Sequence, residues 1–415
     1  MSATLFSLLF LAALALMLVL KCWLALRQAR SVAAHRDAVP ADFASAVELS
    51  AHHKAADYTR AKLGFGLIET VFSAFVLVAL TLAGGMDVVF GWVGTIASGM
   101  WREILGAGAV FSLLCVLDLP FAAYRSFVIE ARFGFNQMTW KLFVIDTLKG
   151  ALLGVLLGGA VLGAAVWLMS SLGALWWLWA WFAWMAFNLL LLWLFPTFIA
   201  PLFNKFVPMP DGPLKARIEA LLARTGFRSQ GLFVMDGSTR SSHGNAYFSG
   251  FGSAKRIVLF DTLISRLDEG EVEAVLAHEL GHFKRRHILK RIAVLFALSL
   301  LFLWFLGALA NAAWFYAGLG VAHIGAGSAL TLFALVLPVF TFILHPITSI
   351  SSRKHEYEAD AYAAGITGAQ PLIAALTKLY KDNAATLTPD KWFSAFYDSH
   401  PPAPLRIARL KILAA

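Results

Sequence analysis

Long apolar runs separated by shorter polar segments dominate the chain. A helix of about 20 apolar residues is needed to cross the hydrocarbon core of a bilayer, and seven runs reach that length. We therefore predict an all-α integral membrane protein of about seven transmembrane helices. They are expected near residues 5–25, 66–85, 104–123, 149–170, 174–195, 292–317 and 325–348.

The composition supports a membrane protein. The chain is 59% hydrophobic and 14% charged, whereas a soluble domain carries about 25% charged residues. Its two cysteines, Cys22 and Cys115, lie within apolar runs, so we expect neither a disulfide framework nor a thiolate metal site. The formal charge of +9 could suggest nucleic acid, but basic residues that flank membrane spans explain it equally well. We expect no nucleic-acid partner.

The distribution of lysine and arginine predicts an orientation. Segments 26–65 and 124–149 are basic, while segments 86–103 and 171–173 carry almost no positive charge. Because short cytoplasmic loops are the basic ones, the N-terminus is expected outside and the first loop in the cytoplasm. No basic residue precedes the first apolar run and several follow it, the reverse of a cleavable signal peptide, so this run is expected to remain as an anchor.

Two regions are predicted from this alternation. Residues 1–195 form an N-terminal membrane region with five spans, and residues 196–415 form a second, more polar region that includes the last two spans. The longest polar stretch, 196–291, is expected in the cytoplasm. Since two further crossings return the chain to the same side, the C-terminal segment 349–415 is expected there as well.

A His-Glu-Leu-Gly-His motif at 278–282 raises the question of a catalytic metal. On a helix, His278 and His282 share one face and can direct two imidazole nitrogens at one zinc ion. Glu279 then lies beside the metal as a general base for a water molecule. The alternative is an ordinary polar stripe on an amphipathic helix. We predict one catalytic Zn²⁺ per chain.

A third ligand is expected downstream of the motif. The metzincin pattern is excluded because Arg285 and Ile288 stand where glycine and histidine would be needed. The only downstream glutamates are Glu356 and Glu358. Glu356 shares a helix face with Asp360, whereas Glu358 points roughly the opposite way. We predict Glu356 as the ligand, with Asp360 accepting a hydrogen bond from a ligating histidine.

Competing interpretations concern neighbouring residues. Glu356 could instead be a solvated carboxylate paired with Arg353 or Lys354. The remaining nearby histidines are predicted not to be ligands, because a catalytic zinc keeps three protein ligands and one open position. These histidines are His243, His287 and His355.

A β-hairpin is predicted over residues 245–264, just before the helix that carries His278 and His282 (the zinc helix). Two alternating segments flank a turn at 252–255. An edge strand beside the metal could bind a substrate backbone by strand addition. An ordinary core hairpin fits the pattern equally well.

Seven further motifs occur in order: IEARFGFNQMTWKLFVIDTLKG (129–150), FPTFIAPLFNKF (195–206), SSHGNAYFSGFG (241–252), KRIVLFDTLI (255–264), HELGHFKRRH (278–287), SRKHEYEAD (352–360) and SHPPAPLRI (399–407). The series resembles the type I CAAX prenyl protease family of integral-membrane zinc endopeptidases. The resemblance implies zinc at His278, His282 and Glu356, and Glu279 as the base. It also implies seven helices that enclose a water-filled chamber containing the active site.

The resemblance extends to residues outside the metal motif. It implies that Asn245 contacts the substrate backbone and that His400 donates a hydrogen bond to the tetrahedral oxyanion. Arg406 is predicted to bind the substrate beside His400. Glu69 and Asp118 lie within apolar runs and are costly in lipid, so they are expected to face the chamber or a partner.

Several substrates remain open. The resemblance implies a protein with a CAAX-like C-terminus, with or without a lipid. An alternative is unassembled or damaged membrane protein, as in related quality-control proteases. If the chain is bacterial, as we expect, its membrane is the cytoplasmic membrane and prenylated substrates would be absent. A zinc transporter or sensor is the alternative from another class, although a transporter would place its ligands near the bilayer midplane and would not require Glu279.

Overall fold

Within the part of the chain that the structure describes, seven helices are long and apolar enough to cross a membrane, which confirms the predicted number. The structure is a computed structural model that describes residues 1–249 and 255–414. Helices suit these runs because every backbone N–H and C=O must be satisfied inside the segment in lipid. The membrane helices, numbered first to seventh along the chain, span Ala3–Ala34, Leu49–Leu80, Gly99–Glu130, Trp140–Ser171, Gly173–Phe203, His287–Leu309 and Ala326–Thr367.

Several membrane helices extend beyond the apolar runs that predicted them. The second begins at Leu49 rather than near residue 66, because the polar segment 49–65 continues the same helix into water. A 32-residue helix is about 48 Å long, well above the roughly 30 Å of a hydrocarbon core. The sixth membrane helix ends earlier than predicted. It stops at Leu309 instead of near residue 317, and a separate short helix follows at Ala313–Ala317.

A cavity of about 350 Å³ lies among the first, second, third and seventh membrane helices. Its lining is largely apolar, with Lys21, Glu69 and Asp118 as the charged members. Glu69 also forms an ion pair with Arg125. Both acidic residues singled out in the apolar runs therefore line one cavity in the membrane region.

A mixed four-stranded sheet follows the fifth membrane helix. Its strands are β1 (Phe206–Pro208), β2 (Leu232–Met235), β3 (Ala246–Ser249) and β4 (Arg256–Phe260), in the order β1-β2-β4-β3. The predicted hairpin is present as the antiparallel pair of β3 and β4, with its turn outside the described residues. The hairpin belongs to a larger sheet, because β4 also pairs in parallel with β2. β3 lies at the sheet edge.

Helices cover this sheet and build a second hydrophobic core. Fully buried side chains of the sheet and the zinc helix, among them Ile257, Leu259, Val272 and Leu276, pack together there. Outside the seven membrane helices, the helices of four or more residues are Gly85–Gly94, Pro213–Thr225, Asp261–Ile264, Glu269–Lys284, Ala313–Ala317, Ala369–Asp382, Lys391–Tyr397 and Ala403–Ala414.

The C-terminal segment is tied to the first membrane helix. Arg27 of that helix makes two hydrogen bonds, of 3.1 and 2.8 Å, to the carboxylate of Asp390. The backbone N–H of Asp390 donates to the side chain of Gln28 over 2.6 Å, and the Ser31 hydroxyl donates to the Thr388 carbonyl. The helix Lys391–Tyr397 begins immediately after this attachment.

Candidate metal centre

Two helices run side by side and carry the predicted ligands. The first, Glu269–Lys284, starts with a capping box in which Asp268 and Glu271 each bond the other's backbone N–H over 2.9 Å. The second is His345–Thr367, the cytoplasm-facing part of the seventh membrane helix in the predicted topology. They approach closely at Gly281, and this approach places Glu356 against both histidines.

Three potential ligand atoms converge between these helices. His278 Nε2 lies 3.4 Å and His282 Nε2 lies 3.3 Å from the Glu356 carboxylate, and the two Nε2 atoms are 3.2 Å apart. Glu356 is buried, and its Oε2 atom has no correctly directed hydrogen bond. Three imidazole nitrogens surround this buried carboxylate: both ligand Nε2 atoms and His400 Nδ1, which lies 2.7 Å from Oε2. The two imidazoles of His278 and His282 and the carboxylate of Glu356 form a donor set that fits a zinc-like divalent cation.

Glu279 follows His278 directly and is half-buried. It is separate from the converging group, which among the described residues consists of His278, His282 and Glu356. The assignment of Glu279 as the general base therefore rests on the sequence pattern and stays a prediction.

Asp360 lies behind His278, on the side away from the converging atoms. Its Oδ1 is 2.8 Å from His278 Nδ1. Burial lowers the pKa of His278, but hydrogen bonds to Asp360 and Glu356 outweigh burial and raise this pKa to about 9. The arrangement fixes Nδ1 as the donor and directs Nε2 at the metal position.

Arg406 was predicted to act on the substrate, and the structure places it deep in the protein, with 5% of its surface exposed. Its guanidinium makes a bidentate pair with Asp360, with Nε–Oδ2 and Nη2–Oδ1 distances of 2.9 and 2.6 Å. Burial lowers the pKa of Arg406, but the bond to Asp360 outweighs it and the pKa rises above its ordinary value. Nε and Nη2 thus face Asp360, while Nη1 is 3.8 Å from Glu356 Oε2.

His400 reaches the same group from the C-terminal segment. Its Nδ1 lies 2.7 Å from Glu356 Oε2, although 62% of the side chain is exposed. This combination of contact and exposure leaves the imidazole beside the metal position and open to a substrate.

Arg353 is a residue of the site that sequence analysis did not assign. It lies one turn before Glu356, and its Nη1 is within hydrogen-bonding distance of the carbonyls of Ser394, Ala395 and Asp398, at 3.0, 3.3 and 2.9 Å. These carbonyls end the helix that leads to His400, where a cation is favoured. The basic residue before the glutamate was visible in the sequence, but its partners lie about 40 residues away.

Asn245 stands at the start of the edge strand β3 and is exposed. Its Oδ1 accepts from the Ala246 N–H over 2.8 Å, and its carbonyl accepts from the Phe260 N–H over 3.0 Å. Within 1–249 and 255–414, no hydrogen bond or ion pair joins Asn245 to the histidine and glutamate group. β3 itself packs against the helix Glu269–Lys284.

Two residues near His282 make contacts that the sequence did not predict. Glu358 was expected on the helix face opposite Glu356 and Asp360, and among the described residues it is not part of the converging group. Its Oε2 lies 3.0 Å from His287 Nε2. His287 Nδ1 lies 3.0 Å from His282 Nδ1. These contacts form because the sixth membrane helix starts at His287, directly beside the helix His345–Thr367 that carries Glu356 (the glutamate helix). No local sequence pattern reveals this arrangement.

Comparisons with known proteins decide the family. Residues 28–205 match the family model described as CAAX prenyl protease N-terminal, five membrane helices. Residues 208–414 match the model of Peptidase family M48. The chain belongs to peptidase family M48. The two matches meet between residues 205 and 208, about ten residues after the predicted region boundary at 195.

The M48 relatives cover most of the chain. A rice protein named CAAX prenyl protease 1 homolog is 40% identical over 71% of this chain and 70% of its own length. CAAX prenyl protease 1 of Saccharomyces cerevisiae is 34% identical over 86% and 85%. The crystal structure of S. mikatae Ste24p superimposes with a TM-score of 0.90 at 30% identity and covers 98% of both chains.

The M48 chain is therefore a multi-pass membrane metalloendopeptidase, and the predicted family, fold class and enzyme class are confirmed. The relatives described above are eukaryotic. A bacterial origin stays a prediction.

Proposed function

We propose that the metal is zinc, one ion per chain, held by His278, His282 and Glu356. The observation that carries this proposal is the buried Glu356 carboxylate facing two imidazole nitrogens, with His278 Nε2 at its Oε2 and His282 Nε2 at its Oε1. When bound, zinc lowers the pKa of a coordinated water toward about 7 and polarises a peptide carbonyl.

The protein's own residues transfer the proton, stabilise the developing charge and orient one ligand. Glu279 takes a proton from the attacking water, whose hydroxyl adds to the scissile carbonyl carbon, and returns that proton to the leaving amine. His400 donates a hydrogen bond to the carbonyl oxygen as negative charge develops there, because its imidazole is exposed beside Glu356. Asp360, clamped by Arg406, keeps His278 in the tautomer whose Nε2 is free.

For the substrate, we propose a protein with a CAAX-like C-terminus that carries a lipid. Three features support this: the relatives' names, the edge strand β3 next to the zinc helix, and the cavity in the membrane region. β3 would pair with an extended peptide, and Asn245 at its start is placed to contact that backbone. The apolar lining of the cavity suits a hydrocarbon chain. The second candidate, degradation of unassembled membrane proteins, uses the same strand but requires no lipid.

The proposed arrangement in the membrane follows from the basic loops. The N-terminus would lie outside, and the active site and C-terminus would lie on the cytoplasmic side. Residues 1–195 would form the membrane region and 196–415 the protease region. A transporter function is disfavoured because Glu279 has no role in transport and because exposed basic residues, including Arg285 and Arg286, follow the ligands.

Glu279→Gln tests the proposed mechanism. The variant should keep one zinc per chain and lose peptidase activity by several orders of magnitude, because the base is removed and the ligands are intact. Metal analysis and a fluorogenic peptide assay on the same preparation measure both quantities. Near-normal turnover would contradict the assignment.

Two reporter proteins test the substrate. They share one CAAX-like C-terminus and differ only in a prenyl group on its cysteine. Mass spectrometry of the released peptides should show faster release from the prenylated reporter. Equal rates would favour the quality-control function, in which the lipid is not recognised.

A further inference from the structure

We propose that His287 and Glu358 form a relay that positions the ligand His282, as Asp360 positions His278. This inference rests on the proposed zinc site. His282 Nδ1 lies 3.0 Å from His287 Nδ1, and His287 Nε2 lies 3.0 Å from Glu358 Oε2. The chain of contacts therefore leads from a ligand to a carboxylate through one buried imidazole.

The order of donors in this relay is fixed by its two ends. When His282 binds metal through Nε2, its Nδ1 carries the hydrogen and must donate. His287 Nδ1 then accepts, so its own hydrogen lies on Nε2 and is donated to Glu358. Because a neutral imidazole has one donor and one acceptor nitrogen, this is the arrangement that satisfies every group.

Both ligand histidines thus end at a carboxylate, by different routes. His278 bonds Asp360 directly over 2.8 Å, and His282 reaches Glu358 through His287. Such outer hydrogen bonds orient the imidazole and increase its basicity as a ligand. The relay also crosses three helices, since His282, His287 and Glu358 belong to the zinc helix, the sixth membrane helix and the glutamate helix.

The backbone conformation of Arg286 allows the contact between His282 and His287. Between the zinc helix and the sixth membrane helix, Arg286 adopts a left-handed conformation with φ of 56°. Such a conformation is uncommon for a residue other than glycine. It turns the chain sharply enough for His287, five residues after His282, to face it across the corner. His287 is 1% exposed, and its ring stacks on His355 at 4.0 Å between centroids.

The experiment measures the dissociation constant for zinc by chelator competition, using the full-length protein in detergent. Glu358→Ala removes the final acceptor and should raise the constant about 10-fold or more, within the 10–100-fold typical of outer-shell losses. Glu358→Gln retains a carbonyl acceptor and should stay within about 3-fold of wild type. His287→Phe keeps an aromatic ring against His355 but cannot accept, so it should resemble Glu358→Ala.

Two controls separate the possible failures. His355→Phe preserves the stack on His287 and lies outside the relay, so zinc affinity should not change. His282→Ala tests the site itself and should abolish stoichiometric binding. If His282→Ala binds zinc normally, the proposed metal site is wrong.

If His282→Ala loses zinc but Glu358→Ala binds as tightly as wild type, the relay alone is overturned. The same conclusion follows if Glu358→Gln weakens binding as much as Glu358→Ala. Thermal unfolding of each metal-free variant identifies a variant that does not fold. Should His287→Phe be such a variant, the Glu358 pair decides the question.

Discussion

Gly281 and Ala359 lie in contact at the point where the two ligand-bearing helices cross. A Cβ atom added to Gly281 would lie 2.9 Å from the Cα atom of Ala359 and 3.1 Å from its carbonyl oxygen. The glycine of the His-Glu-Leu-Gly-His motif therefore has a steric role, because backbone atoms on the partner helix cannot move aside like a flexible side chain. The closeness of these backbones brings Glu356 within reach of His278 and His282.

We predict that Gly281→Ala forces the two helices apart. Overpacking of this kind costs about 1–3 kcal/mol, and the displacement of Glu356 should weaken zinc binding. Thermal unfolding and zinc titration measure the two effects. Gly365→Ala is the matched control, because it lies on the same partner helix with nothing within 4 Å of an added Cβ. It should be neutral or stabilising by up to about 1 kcal/mol. Equal behaviour of the two variants would contradict the steric role.

Arg353→Ala should reduce turnover while zinc remains bound. Without the guanidinium, the carbonyls at the end of the helix Lys391–Tyr397 lose their donor, and the loop that holds His400 beside Glu356 is less well fixed. We expect a fall in kcat of about 10-fold or more, since misplaced catalytic groups can cost about 100-fold. Steady-state kinetics and metal analysis measure this.

Lys354→Ala is the control for Arg353→Ala. Lys354 is the next residue on the same helix and is exposed, so its removal should leave kcat unchanged. A similar fall in both variants would point to a general effect on the helix instead of on His400.

Arg406→Ala should destabilise the protein and weaken zinc binding together. The change leaves Asp360 buried and without its cation, and breaking a buried ion pair in this way costs about 3–5 kcal/mol. Arg406→Lys keeps the charge but not the planar fork, so it should recover only part of the loss. Arg409→Ala on the same helix is the exposed control and should stay near wild type. A changed KM with normal stability and zinc affinity would instead support direct substrate binding by Arg406.

The metal group shows how far local sequence rules extend. Helical spacing predicted that His278 and His282 share one helix face and that Glu356 and Asp360 share another, because each pair lies four residues apart on its own helix. The same rule could not predict the contact of Glu358 with His287, because His287 belongs to a third helix whose position depends on a left-handed residue at a corner.

The fold was also predicted only in part from local sequence patterns. Hydropathy identified all seven membrane helices because a lipid environment requires long apolar runs. It did not identify β1 and β2, which are three and four residues long and depend on pairing with distant segments. Arg353 was missed for the same reason, because its carbonyl partners come from another part of the chain.

The orientation in the membrane can be tested with single cysteines in a chain lacking Cys22 and Cys115. Gln230 and Lys381 are exposed positions of the protease region, and Ser98 is exposed between the second and third membrane helices. Cysteines at 230 and 381 should react with a membrane-impermeant thiol reagent from the cytoplasmic side, and a cysteine at 98 from the opposite side. Labelling of 230 and 381 from different sides would be incompatible with the zinc site.

The attachment of Asp390 to Arg27 makes lipid composition relevant to the chemistry. The helix Lys391–Tyr397 lies between the first membrane helix and His400. Its start is hydrogen-bonded to Arg27 through Asp390, and its end is hydrogen-bonded to Arg353 through the Asp398 carbonyl. Membrane helices change their tilt when acyl-chain length changes. A tilt of the first membrane helix would be transmitted to His400 through this short helix. Turnover in vesicles should therefore vary with bilayer thickness even at saturating substrate.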